Sequence, residues 1–144
     1  MIRVHGTCVA IDGVGVLLRG SSGSGKSDMA LRLIDEGAEL VADDQVEIHL
    51  ENNGLLAKPP ATIAGLLEVR GLGIVRLNHQ PCARLGLVVD LVAPEQVERL
   101  PEIGAVSFLD HPISRIAINP WETSATTKVR LAVRVEMGTI MLAQ

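Results

Sequence analysis

Aromatic residues are nearly absent from this 144-residue chain: one Phe (Phe108), one Trp (Trp121) and no Tyr. Stacking platforms for bases are therefore scarce, which argues against a binder of single-stranded nucleic acid. A bound nucleobase is expected to fall to aliphatic side chains. Excess positive charge is missing too. Thirteen Lys and Arg face seventeen Asp and Glu, a net charge of −4, which argues against a general role in binding polyanions. Cysteine is limited to Cys8 and Cys82, without CxxC or zinc-ligand spacing. Free thiols in a reducing compartment are the expectation. No apolar run reaches the roughly 18 residues of a membrane span, and Met1–Gly13 lacks a signal-type apolar region. A cytoplasmic protein without membrane or nucleic-acid partners is expected.

Aliphatic residues fill the gap. Hydrophobic residues make up 47% of the chain, so the core must be built from Val, Leu, Ile and Ala. The length fits a single domain over residues 1–144, with little room for a separate substrate domain. Ten of the thirteen basic residues are Arg, a composition that suits phosphate clamping as well as plain surface solubility.

The segment Gly20-Ser21-Ser22-Gly23-Ser24-Gly25-Lys26-Ser27 fits G-x-x-x-x-G-K-[ST], the phosphate-binding P-loop. Its glycines let successive backbone N–H groups point at one anion, which the following helix N-terminus also attracts. Lys26 is placed to reach terminal phosphates, and the Ser27 hydroxyl to ligate Mg²⁺. The context agrees: Val14–Leu18 reads as a strand entering the loop. Lys26–Glu36 reads as a helix leaving it, with Met29, Ala30, Leu33 and Ile34 on one face and Gly37 as C-cap. The alternative, a Gly/Ser-rich turn resembling the motif by chance, fails to explain this strand–loop–helix setting.

The remainder is rich in strands. Val4–Ile11 and Val14–Leu18 flank an Asp12-Gly13 turn. Glu39–Ala42 is a short strand ending at Asp43-Asp44. Val46–Leu50 alternates as a half-buried strand, and Leu55–Ala57 pairs back across Glu51-Asn52-Asn53-Gly54. Ala61–Leu67 reads as a short helix after Lys58-Pro59-Pro60. Ile74–Leu77, Leu85–Val92 (buried on both faces) and Ile113–Ile118 read as strands, and Pro94–Leu100 as a helical turn or loop. In the tail, Val129, Leu131, Val133, Val135 and Met137 alternate with polar or small residues, which favours a strand. Thr123-Ser124 after Pro120-Trp121 would suit a helix cap instead. Consecutive strands joined by short turns point away from a doubly wound parallel sheet.

Several carboxylates are candidates for chemistry. A P-loop phosphotransferase needs one for Mg²⁺ and a group to accept a proton from the attacking hydroxyl. Asp43 and Asp44, at a strand end sixteen and seventeen residues after Ser27, can divide these roles. A merely solvated turn is the alternative. Asp90, closing the apolar run Gly86-Leu87-Val88-Val89, is a weaker candidate of Walker-B appearance. Alternation puts Glu68 and Arg70 on one strand face, as a phosphate–metal flank or a structural ion pair. Gly71 and Gly73 either allow close approach to ligand or make a turn. His5 has the right intrinsic pKa for proton management, although a lone strand histidine is more often structural. Arg99 alone is an ordinary solvated arginine.

Together, Val4–Ile48 (VHGTCVAIDGVGVLLRGSSGSGKSDMALRLIDEGAELVADDQVEI) and Leu66–Val75 (LLEVRGLGIV) resemble the catalytic domain of bacterial HPr kinase/phosphorylase. The resemblance implies a fold like that of phosphoenolpyruvate carboxykinase. It also implies an ATP- and Mg²⁺-dependent protein-serine kinase acting on the phosphocarrier HPr. Phosphorolysis of phosphoserine-HPr by inorganic phosphate, giving pyrophosphate, would be the reverse reaction. The role would be regulation of the phosphotransferase system and of carbon and nitrogen metabolism. Asp43 would be the general base, assisted by His5. Lys26 would stabilise the phosphates, held by Gly20, Ser21, Ser22, Gly23, Ser24, Gly25 and Ser27. Ser27, Asp44 and Glu68 would surround Mg²⁺. Arg70, Gly71 and Gly73 fall in the family signature, and Arg99 would match an arginine that neutralises phosphate charge. The resemblance further implies a hexamer, a short form without the N-terminal domain of longer relatives, and a helix where the tail alternates. Two other functions share the P-loop: a small-molecule kinase, and a nucleotide-sensing regulatory module. A GTPase is disfavoured, because no Asn-Lys-x-Asp motif is present.

Overall fold

The computed structural model describes residues 1–144. Eleven strands and two helices follow one another in the order β1 (Ile2–His5), β2 (Thr7–Ile11), β3 (Val14–Arg19), α1 (Lys26–Asp35), β4 (Glu39–Ala42), β5 (Gln45–Glu51), β6 (Gly54–Lys58), β7 (Leu66–Val69), β8 (Gly73–Arg76), β9 (Ala83–Leu91), β10 (Gly104–Phe108), β11 (His111–Ile118) and α2 (Ala125–Met137). Nine strands form one mixed sheet, in which β1-β5-β6-β9-β3-β2-β4 run edge to edge. Strands β3 and β9 pair in parallel, as do β9 and β11, and all other pairings are antiparallel. Strands β7 and β8 make a separate hairpin.

The sheet forks at β9. On the side away from β3, Ala83 and Arg84 pair with β6, whereas Leu87–Leu91 pair with β11. The fork coincides with a bulge. Gly15 stands opposite Leu85 but Val16 stands opposite Leu87, leaving Gly86 over. An extra residue reverses the side-chain alternation beyond it. Leu85 accordingly packs into one core and Leu87 into the other. The first core is enclosed by the two arms and holds Cys8, Leu17, Ile48, Leu55, Val88, Phe108 and Ile113, among others. The second lies under both helices, where Val9, Val16, Leu18 and Val89 meet Met29, Leu33, Val129 and Val133. With both helices on one face, the sheet is not doubly wound.

Four sequence expectations are corrected. The strand expected over Val4–Ile11 breaks at Gly6, because its two halves have different neighbours: β1 pairs with β5, and β2 with β3 and β4. A Cβ at Gly6 would lie 2.8 Å from the Leu18 carbonyl oxygen, so only glycine allows the crossing. The helix expected over Ala61–Leu67 is a single 3₁₀ turn, Ala61–Ile63. Gly65, at φ +78°, ends it, and Leu66–Val69 pair with β8 instead. Strand β10 went unread. The alternating tail is helix α2, as the family resemblance implied. Ala125, Val129 and Val133 recur every four residues on its buried side, while Leu131 points outward. Gly138, at φ +76°, closes it, with the Thr139 N–H bonded to the Arg134 carbonyl.

Asp90, at the end of β9, accepts hydrogen bonds from Arg19 at 2.8 and 3.0 Å and from Arg115 at 2.6 Å. It thereby ties the ends of β3, β9 and β11 together. Committed to two arginines, it is not available as a metal ligand. Burial raises its pKa, but the bonds from Arg19 and Arg115 outweigh that and hold the carboxyl below the usual range. Cys8 is fully buried, and burial pushes its thiol up to about 12, so it stays an inert core residue. Cys82 is also free.

Two outcomes test this architecture by chemical denaturation. Leu131 is 43% exposed and Val133 0%, yet a strand would put both on one face. Leu131→Asp should therefore stay within about 0.5 kcal/mol of the parent, while Val133→Asp should cost more than about 3 kcal/mol. Asp90→Ala should cost about 1–2 kcal/mol near pH 7, its partners being partly exposed. Because the folded pKa of Asp90 is depressed, its stabilisation is fully present above the unfolded value near 3.9 and fades as pH falls through the lower folded value. The gap between parent and Asp90→Ala should narrow over that acid range.

Candidate active site

The P-loop occupies the connection from β3 to α1. Gly25 sits at φ +99° as the residue preceding the helix, and the Met29 N–H donates to its carbonyl at 2.8 Å. Gly23 also has positive φ (+80°). This backbone leaves the first N–H groups of α1 facing out of the helix end, where an anion is stabilised. Lys26 is only 9% exposed. Its ammonium donates to the carbonyls of Gly20 (2.8 Å) and Ser21 (3.0 Å), so the side chain lies back along the loop. Ser24 Oγ is buried and has no hydrogen-bond partner within the protein.

Beside the loop, the end of β4 delivers two carboxylates to different surroundings. Asp43 is 9% exposed. Its Oδ1 accepts from Thr7 Oγ1 at 2.8 Å and from Ser27 Oγ at 3.1 Å, and its Oδ2 faces the Glu68 N–H at 3.4 Å. Asp44 follows in the left-handed region at φ +69°, spanned by a hydrogen bond from the Gln45 N–H to the Asp43 carbonyl. A three-residue turn with positive φ at its centre is strained. It turns the Asp44 carboxylate outward, where Oδ1 stands 3.5 Å from His5 Nδ1. The Gly6 N–H holds the Asp44 carbonyl at 3.1 Å, so the break between β1 and β2 also places His5.

These groups line one cleft of about 430 Å³, shared with Ser22, Gly23, Gly25, Leu31, Glu68, Arg70 and Trp121. The sequence candidates His5, Lys26, Ser27, Asp43, Asp44, Glu68 and Arg70 thus converge. The pairing expected from the resemblance is reversed, however. His5 stands by Asp44 rather than Asp43, and Ser27 by Asp43 rather than Asp44. Arg99 is exposed on the segment after β9 and does not line the cleft. Gly71 and Gly73 shape the β7–β8 turn with φ of +88° and +124° and lie outside the lining.

Five cleft residues, Thr7, Asp28, Leu31, Val69 and Trp121, escaped the sequence analysis as site candidates. Thr7 looked like an ordinary strand residue until β2 was set beside Asp43. Trp121 had a legible sign, a large aromatic in a polar turn. The donor set suits a hard divalent cation bridged to phosphates. No cluster of three His, Cys, Asp or Glu side chains forms a cage, and Mg²⁺ is normally held by one or two carboxylates plus phosphate oxygens. Ser27 with Asp43 fits that pattern.

Residues 1–119 match the family described as HPr Serine kinase C-terminal domain. Among similar proteins is the HPr kinase/phosphorylase of Geobacillus sp. (strain WCH70), 39% identical over 130 residues, covering 80% of this chain and 41% of that protein. The HPr kinase/phosphorylase of Shouchella clausii (strain KSM-K16) is 41% identical over 109 residues, covering 70% and 35%. The chain thus spans about two fifths of the length of the curated relatives it matches. The solved Hpr(Ser) kinase/phosphatase from Coxiella burnetii superposes with a TM-score of 0.86 at 26% identity, covering 96% of this chain and 98% of that one. By its matched residues and its three-dimensional likeness, the chain belongs to the HPr serine kinase C-terminal domain family.

Proposed function

We propose that residues 1–144 form the catalytic module of an ATP-dependent protein-serine kinase whose substrate is an HPr-type phosphocarrier. Convergence of Lys26, Ser27, both aspartates, His5 and Glu68 on one cleft carries this proposal. Asp43, buried and already accepting from Thr7 and Ser27, suits the cation side of the site. Glu68 stands beside it, its backbone N–H facing the same carboxylate. Asp44 is exposed and paired with His5, so it can meet an incoming hydroxyl. The general base is therefore assigned to Asp44, and the expectation that Asp43 fills this role is replaced.

The seryl oxygen attacks the γ-phosphorus in line. Its bond to phosphorus forms as the bond to the β–γ bridging oxygen breaks, and ADP departs. Asp44 takes the seryl proton, with His5 holding the carboxylate in place. Lys26 offsets charge on the phosphates, and Arg70 is the cleft arginine that can add to it. A bound Mg²⁺ would neutralise developing negative charge, with Ser27 and Asp43 as its protein-side oxygen donors. In the phosphorolysis direction, an oxygen of inorganic phosphate bonds to the phosphoserine phosphorus as the bond from that phosphorus to the seryl oxygen breaks. Protonated Asp44 gives its proton to the departing seryl oxygen, and pyrophosphate is the product released. Kinship with phosphoenolpyruvate carboxykinase, a cytoplasmic location and hexameric assembly belong to the same proposal. No helix is long and apolar enough to cross a membrane.

Transfer of labelled phosphate from ATP to HPr in the presence of Mg²⁺ is the direct measurement. Lys26→Ala should abolish transfer. Asp44→Asn should keep ATP binding and lower turnover by about 10²–10⁴-fold, the usual worth of general-base help. Asp43→Asn should instead weaken Mg²⁺-dependent ATP binding. Undiminished transfer by Asp44→Asn would overturn the assignment of the base. Transfer to metabolites but not to HPr would make the module a small-molecule kinase, and ATP binding without turnover would make it a sensor.

A further inference from the structure

Trp121 is the only tryptophan and is 64% exposed, an expensive placement for the largest apolar side chain unless something covers it. It is not loosely placed. Its backbone N–H donates to Asn119 Oδ1 at 3.0 Å, and Asn119 is buried. The neighbouring Pro120 carbonyl accepts from Arg32 of α1 at 2.7 Å, and Arg32 is itself held by Asp28. The turn between β11 and α2 is thereby strapped to the helix that opens at the P-loop.

The indole lies against the loop itself. A Cβ added at Gly25 would come within 3.2 and 3.3 Å of two atoms of its six-membered ring. Ser27, which contacts Asp43, is two residues further along. The indole, both aspartates and the loop residues Gly23, Gly25, Lys26 and Ser27 line one cleft, in which Trp121 is the only Phe, Tyr or Trp side chain. A triphosphate held by the loop with its γ end toward Asp43 and Asp44 leaves the indole as the flat apolar surface of that cleft open to the nucleoside. Leu31, also exposed on α1, lines the same cleft.

Resting on the kinase reading above, we infer that Trp121 is the platform on which the nucleobase of the phosphoryl donor stacks. Aliphatic side chains are displaced from the role that the scarcity of aromatics suggested for them. The indole face grips a flat ring without reading its edges, so adenine and guanine nucleotides gain alike.

Calorimetric titration of the full chain with ATP, GTP and inorganic tripolyphosphate, each with Mg²⁺, separates base from phosphate. Trp121→Ala should weaken both nucleotides about tenfold, within the range measured for base–aromatic stacking, and leave tripolyphosphate within twofold. Trp121→Phe, which keeps an aromatic face, should recover most of the loss. As the sole indole, Trp121 should also change its fluorescence on addition of ATP and not of tripolyphosphate. Nucleotide affinity unchanged in Trp121→Ala, or an equal loss for all three ligands, would overturn the platform while leaving the kinase reading intact. Failure of the parent chain to bind tripolyphosphate, or binding that survives Lys26→Ala, would remove the phosphate site and the inference with it.

Discussion

One buried carboxylate holds this site together. Asp43 ends β4 and meets a hydroxyl from β2, a hydroxyl from the first turn of α1 and a backbone N–H of β7. Four segments far apart in sequence are thus registered against a single side chain. Polar groups taken out of water must be paired, and each donor here has one best position relative to the others. The P-loop is consequently not a free-standing anion trap. Its Ser27 hydroxyl is placed by the same carboxylate that the chain needs for its own packing.

Around that point the sheet is divided into two cores by a one-residue bulge. Before Gly86, β9 serves the arm that includes β5 and β6. After it, β9 serves β11 and the face under the helices. Aliphatic side chains suffice for both cores because neither must accommodate large aromatics, Phe108 excepted. The arginine-clamped Asp90 closes the sheet at the end where the P-loop departs, so the strand delivering the loop is fixed just before it turns.

What could be read from the sequence was whatever local chain grammar encodes. The strand–loop–helix of Gly20–Ser27 is specified by its own glycines, and the convergence of His5, Asp43-Asp44 and Glu68–Arg70 followed from family spacing. The different surroundings of the two adjacent aspartates, Asp43 against Ser27 and Asp44 beside His5, were not legible. They depend on the left-handed conformation of Asp44 and on which neighbours β1 and β2 supply. Val129–Met137 misled because its apolar residues satisfy a period of two and, through Val129 and Val133, the helical period as well. Thr7 was invisible as a site residue because its relevance comes only from what the fold sets beside it, whereas Trp121 carried a sign, a lone large aromatic in a polar turn, that could be placed at the cleft only by the fold.

The β7–β8 hairpin stands outside the main sheet. A two-stranded hairpin has little stability of its own. This one is fastened through buried Leu67, the Glu68 N–H on Asp43 and the Leu77 N–H on the Gly65 carbonyl. It nevertheless carries Glu68 and Arg70 into the cleft. Displacement of this one hairpin would therefore take Glu68 and Arg70 out of the cleft with both cores intact. The free energy of completing the site is separate from that of folding the domain, and a substitution at the Gly71–Gly73 turn can alter the first while sparing the second.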